Sequence, residues 1–324
     1  MELNPVNRIE KKQQKVNNFK LNSYYFKRAR DSFEYILKNF LFDKKVLIPA
    51  YIGYSSNEGS GIFDPIKNSG IKYQFYKLTK TLNIDKEHLF KLIDKNPGNV
   101  LLLVHYFGFL DDSINEIKKY ARNKNMIIVE DCAHAFFTFF QKPIVDSDYY
   151  IFSLHKMFSY EGGGMLLARQ SLDIQDDSIE NPYKYNLFAI SDKRVQNYNY
   201  LQRKIQYLDH VKILKPSLQG TVPQTLPILV SSEAMRDNLY FKLNELGFGV
   251  VSLYHELIPQ IDTNLFKIEK YISSLIINLP IHQDVEFSDL DKMVGELKRI
   301  LNHEAWYQYS LDDNKTAVNI ELTE

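Results

Sequence analysis

Two short segments of the 324-residue chain carry side chains that could take part in proton transfer or covalent catalysis. In the first, MIIVEDCAHAFF, Asp131 ends an apolar run and His134 follows three residues later. An aspartate sheltered from water can hold a protonated heterocyclic nitrogen, because the ion pair is stronger away from solvent. Glu130 is the other carboxylate at this strand end. The same pattern also fits a helix cap followed by a histidine in the core.

The second segment, DYYIFSLHKMFSYEGGGMLLAR, places Ser153 and Lys156 at the end of another apolar run. Lysines are mostly exposed, so a lysine at the end of a buried strand is a candidate for an amine that forms an imine. A surface lysine that extends its ammonium group into water is the structural alternative. The glycines 162–164 fit either a close backbone approach to a ligand or a tight turn.

The elements around these residues alternate between helical and strand patterns from about Arg28 to Arg169. The strands show no polar alternation, which predicts a mostly parallel sheet covered by helices on both faces. Ligands of such sheets bind beyond the carboxyl ends of the strands, where Asp131 and Ser153 fall. The predicted helices are 29–42, 55–69, 86–94 and 112–122, and the predicted strands are 46–50, 72–76, 100–105, 126–130 and 149–154, with a further strand after the glycine turn.

The second half of the chain predicts a smaller α+β unit. Residues 181–209 are rich in Tyr, Asn and Arg and show weak periodicity. Strands are expected at 226–230, 249–253 and 275–279, and helices at 233–246 and 288–301. We therefore expect a large α/β domain at 1–205, a small C-terminal domain at 206–304 and a polar tail without assigned structure at 305–324.

The composition restricts the class of protein. Forty Lys and Arg residues balance 40 Asp and Glu residues, so nucleic acid and anionic membranes are not expected as partners. Cys132 is the single cysteine, which favours a reducing compartment. The N-terminal stretch lacks the apolar core of a signal peptide, and no apolar run approaches the roughly 20 residues that span a bilayer. These features predict a cytoplasmic protein. No Cys/His cluster has metal-ligand spacing, so no metal is expected.

The order of these motifs resembles the DegT/DnrJ/EryC1/StrS family of pyridoxal phosphate (PLP)-dependent sugar aminotransferases. The resemblance extends from about Tyr25 to Leu301. Besides the two segments above, it rests on a V-x-x-P-x-[YF] motif at 46–51, V-H-x-[FY]-G at 104–108, E-D-x-A-[QH]-A at 130–135 and a closing L-P-[IL]-H motif within 276–284.

The resemblance implies a fold-type-I PLP-dependent transferase. Lys156 would carry the cofactor as a Schiff base and, once released by an amino donor, would shuttle the transferred proton. Asp131 would pair with the pyridinium nitrogen, and His134 would hydrogen-bond the phenolic oxygen. Ser153 would donate to the phosphate group.

Further cofactor contacts follow from the same resemblance. Arg30 and Asp31 lie in the segment that corresponds to the family's phosphate-binding helix start, where backbone N–H groups and the helix dipole favour an anion. Gly53 replaces an aromatic residue that stacks on the cofactor ring in many members. Tyr51 or Tyr54 could take over that contact, and Tyr54 is taken as the candidate.

Asn199 resembles the asparagine of an N-Y-R block that reaches the cofactor phosphate of a neighbouring subunit. The resemblance therefore implies a homodimer with shared active sites. The chain departs from the family in the short Ser153–Lys156 spacing, in Ala29 instead of Gly and in Leu201 instead of Arg.

The function implied is transfer of an amino group, from glutamate, to a nucleotide-linked keto-sugar for surface polysaccharide or glycan biosynthesis. Two alternatives remain open. One is a PLP-dependent aminotransferase acting on a non-sugar ketone, and the other is a catalytically degenerate paralogue that is not an enzyme.

Overall fold

A computed structural model of the chain describes residues 21–57, 59–141, 146–174, 176–177 and 179–318. A seven-stranded sheet is built from the first half of the chain, in the order β1-β7-β6-β5-β4-β2-β3. Its strands are β1 (Asn22–Phe26), β2 (Lys45–Pro49), β3 (Lys72–Tyr76), β4 (Val100–Val104), β5 (Ile127–Asp131), β6 (Tyr149–Ser153) and β7 (Gly164–Ala168).

Strands β2 to β6 run parallel, and β7 is antiparallel to both of its neighbours, β1 and β6. The carboxyl ends of β1, β2, β4, β5 and β6 therefore meet at one edge of the sheet. The amino end of β7 lies at the same edge, since β7 runs in the opposite direction.

Alternate residues of the central strands face two different cores. In β4, Leu101 and Leu103 belong to one core cluster, whereas Val100 and Leu102 belong to the other. Burial on both faces is the reason that these strands read as continuous apolar runs. The predicted architecture, a mostly parallel central sheet flanked by helices, is confirmed.

The helices of the first half pack on the two faces of this sheet. They are α1 (Ala29–Phe40), α2 (Phe63–Ser69), α3 (Lys86–Lys95), α4 (Ile114–Asn123) and α5 (Phe136–Gln141). The long helix α6 (Leu187–Ile205) follows and leads to the second half of the chain.

The second half forms a three-stranded antiparallel sheet with the strand order β10-β9-β8. Its elements are β8 (Val211–Ile213), β9 (Thr225–Val230), α7 (Glu233–Glu245), α8 (Lys267–Leu275), β10 (Ile276–Pro280) and α9 (Phe287–Val318). No helix within the described residues is both long enough and apolar enough to cross a membrane. The domain boundary at residue 205 stays a prediction.

Two sequence predictions of local structure were wrong. The helix predicted at 55–69 begins only at Phe63, after a loop in which Ser55 pairs with Gly59. The strand predicted at 249–253 is reduced to one bridge between Val251 and Asn278. Two stretches that were left without assigned structure are helical in part: 181–209 contains helix α6, and α9 continues into the polar tail as far as Val318. Residues 319–324 lie outside the described residues.

Candidate active site

A cavity of about 590 Å³ opens at the edge of the sheet where the parallel strands end. Six of the eight predicted site residues line this cavity: Arg30, Tyr54, Asp131, His134, Ser153 and Lys156. Asp31 lies in the first turn of α1, where it pairs with Arg28 at 2.8 Å. Asn199 is exposed on α6 and does not line the cavity of its own chain.

Lys156 and His134 contact each other across the cavity floor. Lys156 follows β6 in a 3₁₀ turn, and its Nζ lies 3.0 Å from His134 Nε2. On the other side of the ring, His134 Nδ1 accepts a hydrogen bond from the Phe107 N–H at 3.2 Å. Since Nδ1 accepts, a neutral imidazole carries its proton on Nε2.

The protonation states of these two groups are linked. Burial, and then the charge of Lys156, lower the pKa of His134 well below its usual range, so the ring is neutral. A neutral His134 with its proton on Nε2 presents that proton to the cavity, beside Lys156 Nζ.

The Phe107 N–H is held in place by strained backbone. Phe107 is buried and has a left-handed φ of 57°. Gly108 follows with a φ of 93°, and a Cβ there would lie 2.9 Å from the carbonyl oxygen of His134. The V-H-x-[FY]-G motif at 104–108 thus lets the turn approach His134 closely enough to fix its tautomer. Sequence reasoning recognised this motif but not its role.

Strand alternation decides between the two carboxylates at the end of β5. Asp131 faces the cavity, where its Oδ1 accepts a hydrogen bond from the Ala133 N–H at 2.8 Å. Burial raises the pKa of Asp131, although that hydrogen bond and the charges of Lys156 and His105 oppose the rise. A cation bound beside Asp131 would relieve the cost of its ionisation.

Glu130 points away from the cavity into a buried network. Its carboxylate contacts His105 Nε2 and Lys118 Nζ, each at 2.6 Å, and accepts from Ser147 Oγ at 2.5 Å. Burial opposes ionisation of Glu130, but the partners His105 and Lys118 outweigh it and lower the pKa of Glu130 to about 2. Sequence reasoning missed Lys118 and its second partner Asp146, because nothing in their spacing distinguishes them from surface residues.

His105, Glu130 and Cys132 bring three potential metal-ligand atoms within 4.8 Å of one another. The Lys118 ammonium already contacts Glu130 at 2.6 Å, which disfavours a second cation beside that carboxylate. Burial raises the pKa of Cys132 well above its usual range, so the thiol keeps its proton. Among the described residues this cluster therefore serves as packing and charge compensation behind Asp131.

The start of α1 faces the cavity without a side-chain cap, since no side-chain hydrogen bond caps it at Arg28. The glycine turn before β7 permits this position. A Cβ on Gly164 would lie 2.5 Å from the Arg28 carbonyl carbon and 2.6 Å from the Ala29 nitrogen, and one on Gly162 would lie 2.9 Å from the Lys27 oxygen. The glycines thus allow the start of α1, which lacks a side-chain cap, to reach the site.

Tyr54 and Tyr254 also line the cavity. Tyr54 is 39% exposed, whereas Tyr51, the other predicted alternative, is fully buried and absent from the lining. Sequence reasoning missed Tyr254, which comes from the second half of the chain. Its only signal is the unusual glycine at position 53, against which the Tyr254 ring packs.

These groups fit PLP. The uncapped helix start and the Ser153 hydroxyl suit a phosphate dianion, half-buried Asp131 suits a ring nitrogen, and the His134 Nε2–H suits a phenolic oxygen. Lys156 would supply the amine for covalent attachment. A mostly parallel sheet with such groups at one edge is the architecture of the fold-type-I transferases that use this cofactor.

Comparison with known proteins bears out this class. Residues 61–175 match the model of the DegT/DnrJ/EryC1/StrS aminotransferase family. This match bears out the resemblance predicted from the motifs and the enzyme class, an aminotransferase, and PLP is the cofactor of that family. No curated protein matches the chain.

Solved structures share the fold at low sequence identity. The Helicobacter pylori aminotransferase PseC, involved in the biosynthesis of pseudoaminic acid, is 16% identical, covers 87% of each chain and has a TM-score of 0.69. The pyridoxamine phosphate form of Spr1654, a putative sugar aminotransferase from Streptococcus pneumoniae, is 14% identical over 89% of this chain and 88% of its own, with a TM-score of 0.70. A DegT/DnrJ/EryC1/StrS aminotransferase from Brucella abortus is 15% identical over 85% of each chain, with a TM-score of 0.66.

Proposed function

We propose that the protein transfers an amino group from glutamate to a nucleotide-linked keto-sugar, for surface polysaccharide or glycan biosynthesis in the cytoplasm. The observation that carries this proposal is the 3.0 Å contact between Lys156 Nζ and the neutral His134 ring in a cavity that also contains Asp131. The sugar substrate is supported by the fold shared with PseC and Spr1654.

Each residue has a defined task in this proposal. When bound, PLP supplies an aldehyde for attachment to an amine and a ring that stores electrons during amino transfer. Lys156 Nζ would hold the cofactor and, when free, would take the proton from the amino-bearing carbon of the donor. Asp131 would pair with the ring nitrogen, and His134 Nε2–H would donate to the phenolic oxygen. Arg30 and Ser153 would orient the phosphate group together with the start of α1.

We further propose a homodimer in which Asn199 serves the site of the neighbouring subunit. Asn199 lies on the exposed face of α6, outside the cavity of its own chain. A role in cofactor binding would therefore have to be played in a second copy.

The absorbance of the purified protein tests the proposed chemistry. With added PLP, the wild type should show a visible band that borohydride abolishes by reducing the covalent link. Lys156→Ala should not show that link, whereas Lys67→Ala, on an exposed face of α2, should match the wild type. A protein that takes up no PLP would contradict every form of the proposal, and an unchanged band in Lys156→Ala would contradict the role of this lysine.

The substrates are tested by two half-reactions. Glutamate should convert the bound cofactor to its pyridoxamine form, and a nucleotide-linked keto-sugar should restore the original spectrum. Reversal by a ketone other than 2-oxoglutarate, the product of the glutamate half-reaction, but by no keto-sugar nucleotide would show that the acceptor is a non-sugar ketone.

A further inference from the structure

The Tyr254 side chain forms part of the cavity wall beside Asp131 and His134. Its ring centroid lies 6.0 Å from that of His134, with an interplanar angle of 60°, and 5.2 Å from that of Tyr51. Burial and the negative charge of Asp131 raise the pKa of Tyr254, which keeps its hydroxyl protonated. Tyr254 is therefore a neutral aromatic surface next to the groups that would hold the edge of a cofactor ring.

Backbone hydrogen bonds fix Tyr254 against the end of β2. Gly53 and Leu257 pair as an antiparallel bridge, and the Tyr54 N–H donates to the Glu256 carbonyl at 2.9 Å. Ser273 Oγ donates to the Tyr254 carbonyl at 2.8 Å. Tyr254 itself has a left-handed φ of 65°, a conformation that a tyrosine rarely adopts without such support.

Position 53 is a glycine because Tyr254 occupies the space beside it. A Cβ on Gly53 would lie 2.8 Å from Tyr254 Cδ1 and 3.1 Å from Tyr254 Cα. The second distance is to backbone that the bridge holds in place, so rotation of the tyrosine ring alone would not make room. A side chain at position 53 and the ring of Tyr254 therefore exclude each other.

We propose that Tyr254 supplies the aromatic surface against which the pyridine ring of PLP packs, in the space that a side chain at position 53 would otherwise fill. This inference rests on the proposed function, because it requires PLP in the cavity. Asp131, His134 and Lys156 would contact the edge of the ring, so its faces call for apolar or aromatic partners. A flat aromatic side chain can pack against a face of the pyridine ring. Stacked aromatic pairs stabilise a complex by more than the burial of their apolar surface alone.

Cofactor affinity measured by absorbance titration, with visible circular dichroism of the bound cofactor, tests the contact. Tyr254→Leu keeps apolar bulk but removes the aromatic ring. It should weaken PLP binding roughly threefold to tenfold and change the dichroism of the bound cofactor. Tyr207→Leu, the matched control at an exposed tyrosine outside the cavity lining, should change the affinity less than twofold. Unchanged affinity and dichroism in Tyr254→Leu would overturn the inference, while PLP uptake by the wild type would leave the proposed function standing.

An exchange of the two side chains gives a second test that does not depend on the leucine variant. Gly53→Tyr alone should lose PLP binding, since its Cβ collides with Tyr254. Tyr254→Gly suits the left-handed φ and removes the 2.8 Å contact with Cδ1. The remaining 3.1 Å contact with the Cα of residue 254 needs a shift of only a few tenths of an ångström, so the double variant should recover affinity to within about threefold of the wild type. A double variant that binds PLP no better than either single variant, with a native far-ultraviolet spectrum, would contradict the shared position.

Discussion

His134 illustrates how the chemistry of one residue is fixed by a backbone group from another strand. The Phe107 N–H donates a hydrogen bond to Nδ1, so the ring proton is on Nε2, which faces the cavity. A side-chain motif in the sequence predicts which residue faces the site, but not which nitrogen carries the proton. That information lies in the strained turn at 106–108, whose left-handed φ at Phe107 has no propensity signal.

The depressed pKa of His134 makes the stability of the protein dependent on pH. A histidine in the unfolded chain binds a proton near pH 6.5, whereas the buried His134 resists protonation. The unfolded state therefore gains protons first as the pH falls, and stability decreases below about pH 6.5. We expect the wild type to lose roughly 1 kcal/mol more than His134→Gln between pH 7.5 and pH 5.5, as measured by urea unfolding of the cofactor-free protein.

His210→Asn is the control for this comparison, because His210 is exposed and asparagine tolerates its left-handed φ of 64°. This variant should retain the pH dependence of the wild type. Equal pH dependence in the wild type and in His134→Gln would show that His134 titrates normally in the folded protein.

At the scale of elements, the strands of the large sheet were the most predictable part of the fold. β4 and β6 are each one residue shorter than predicted, and the partly exposed edge strand β3 has the predicted bounds. The apolar runs of β4 and β6 are continuous because both faces of the sheet are covered there. Helix α6 was missed because its buried face includes the polar residues Ser191, Arg194 and Asn197, which hide the helical period.

The part of the candidate site that lies at strand ends was also predictable, because its position follows from the parallel sheet. Asp131, His134 and Lys156 lie at the ends of adjacent strands, so the parallel sheet brings them together once its order is known. The Glu130 network and Tyr254 were not predicted. Both depend on contacts between segments whose distance in the chain leaves no periodic pattern.

The close contact between the glycine turn and the start of α1 leads to a prediction about elements. Gly164→Ala would place a Cβ 2.5 Å from the Arg28 carbonyl carbon and shift the helix start. We expect PLP affinity to fall at least tenfold and stability to fall by about 1–3 kcal/mol. Absorbance titration and urea unfolding measure the two effects.

Gly61→Ala is the matched control, because Gly61 also lines the cavity but a Cβ there meets no atom within 4 Å. Its PLP affinity should stay within twofold of the wild type. Equal losses in both variants would mean that the effect does not come from the α1 contact.

At the scale of the whole molecule, the position of Asn199 makes the proposed dimer testable by mixing inactive subunits. Lys156→Ala should lack activity, and Asn199→Ala should lose much of it through weaker PLP binding in the neighbouring site. If each site combines Lys156 of one subunit with Asn199 of the other, a mixed dimer has one site with both residues intact and one with neither. Mixing the two variants after dissociation should therefore restore up to about a quarter of the wild-type activity.

Sedimentation analysis should show a dimer in the same preparations. The control is a mixture of Lys156→Ala subunits with subunits that carry both Lys156→Ala and Asn199→Ala. It should stay inactive, because no subunit in it has Lys156. Full activity of Asn199→Ala alone would contradict the role of this residue, and a monomer at all concentrations would contradict shared sites.

The pairing of residues 52–54 with residues 256–258 also determines when the site can be completed during synthesis. The two segments lie roughly 200 residues apart, and a ribosome that adds about 5–20 residues per second needs on the order of 10–40 s between them. In the later part of that interval the helix start, the aspartate and the lysine have been made, but the segment that carries Tyr254 has not. Stable loading of the cofactor therefore belongs to the end of translation, and a nascent chain released before Tyr254 would leave the ribosome as an apoprotein.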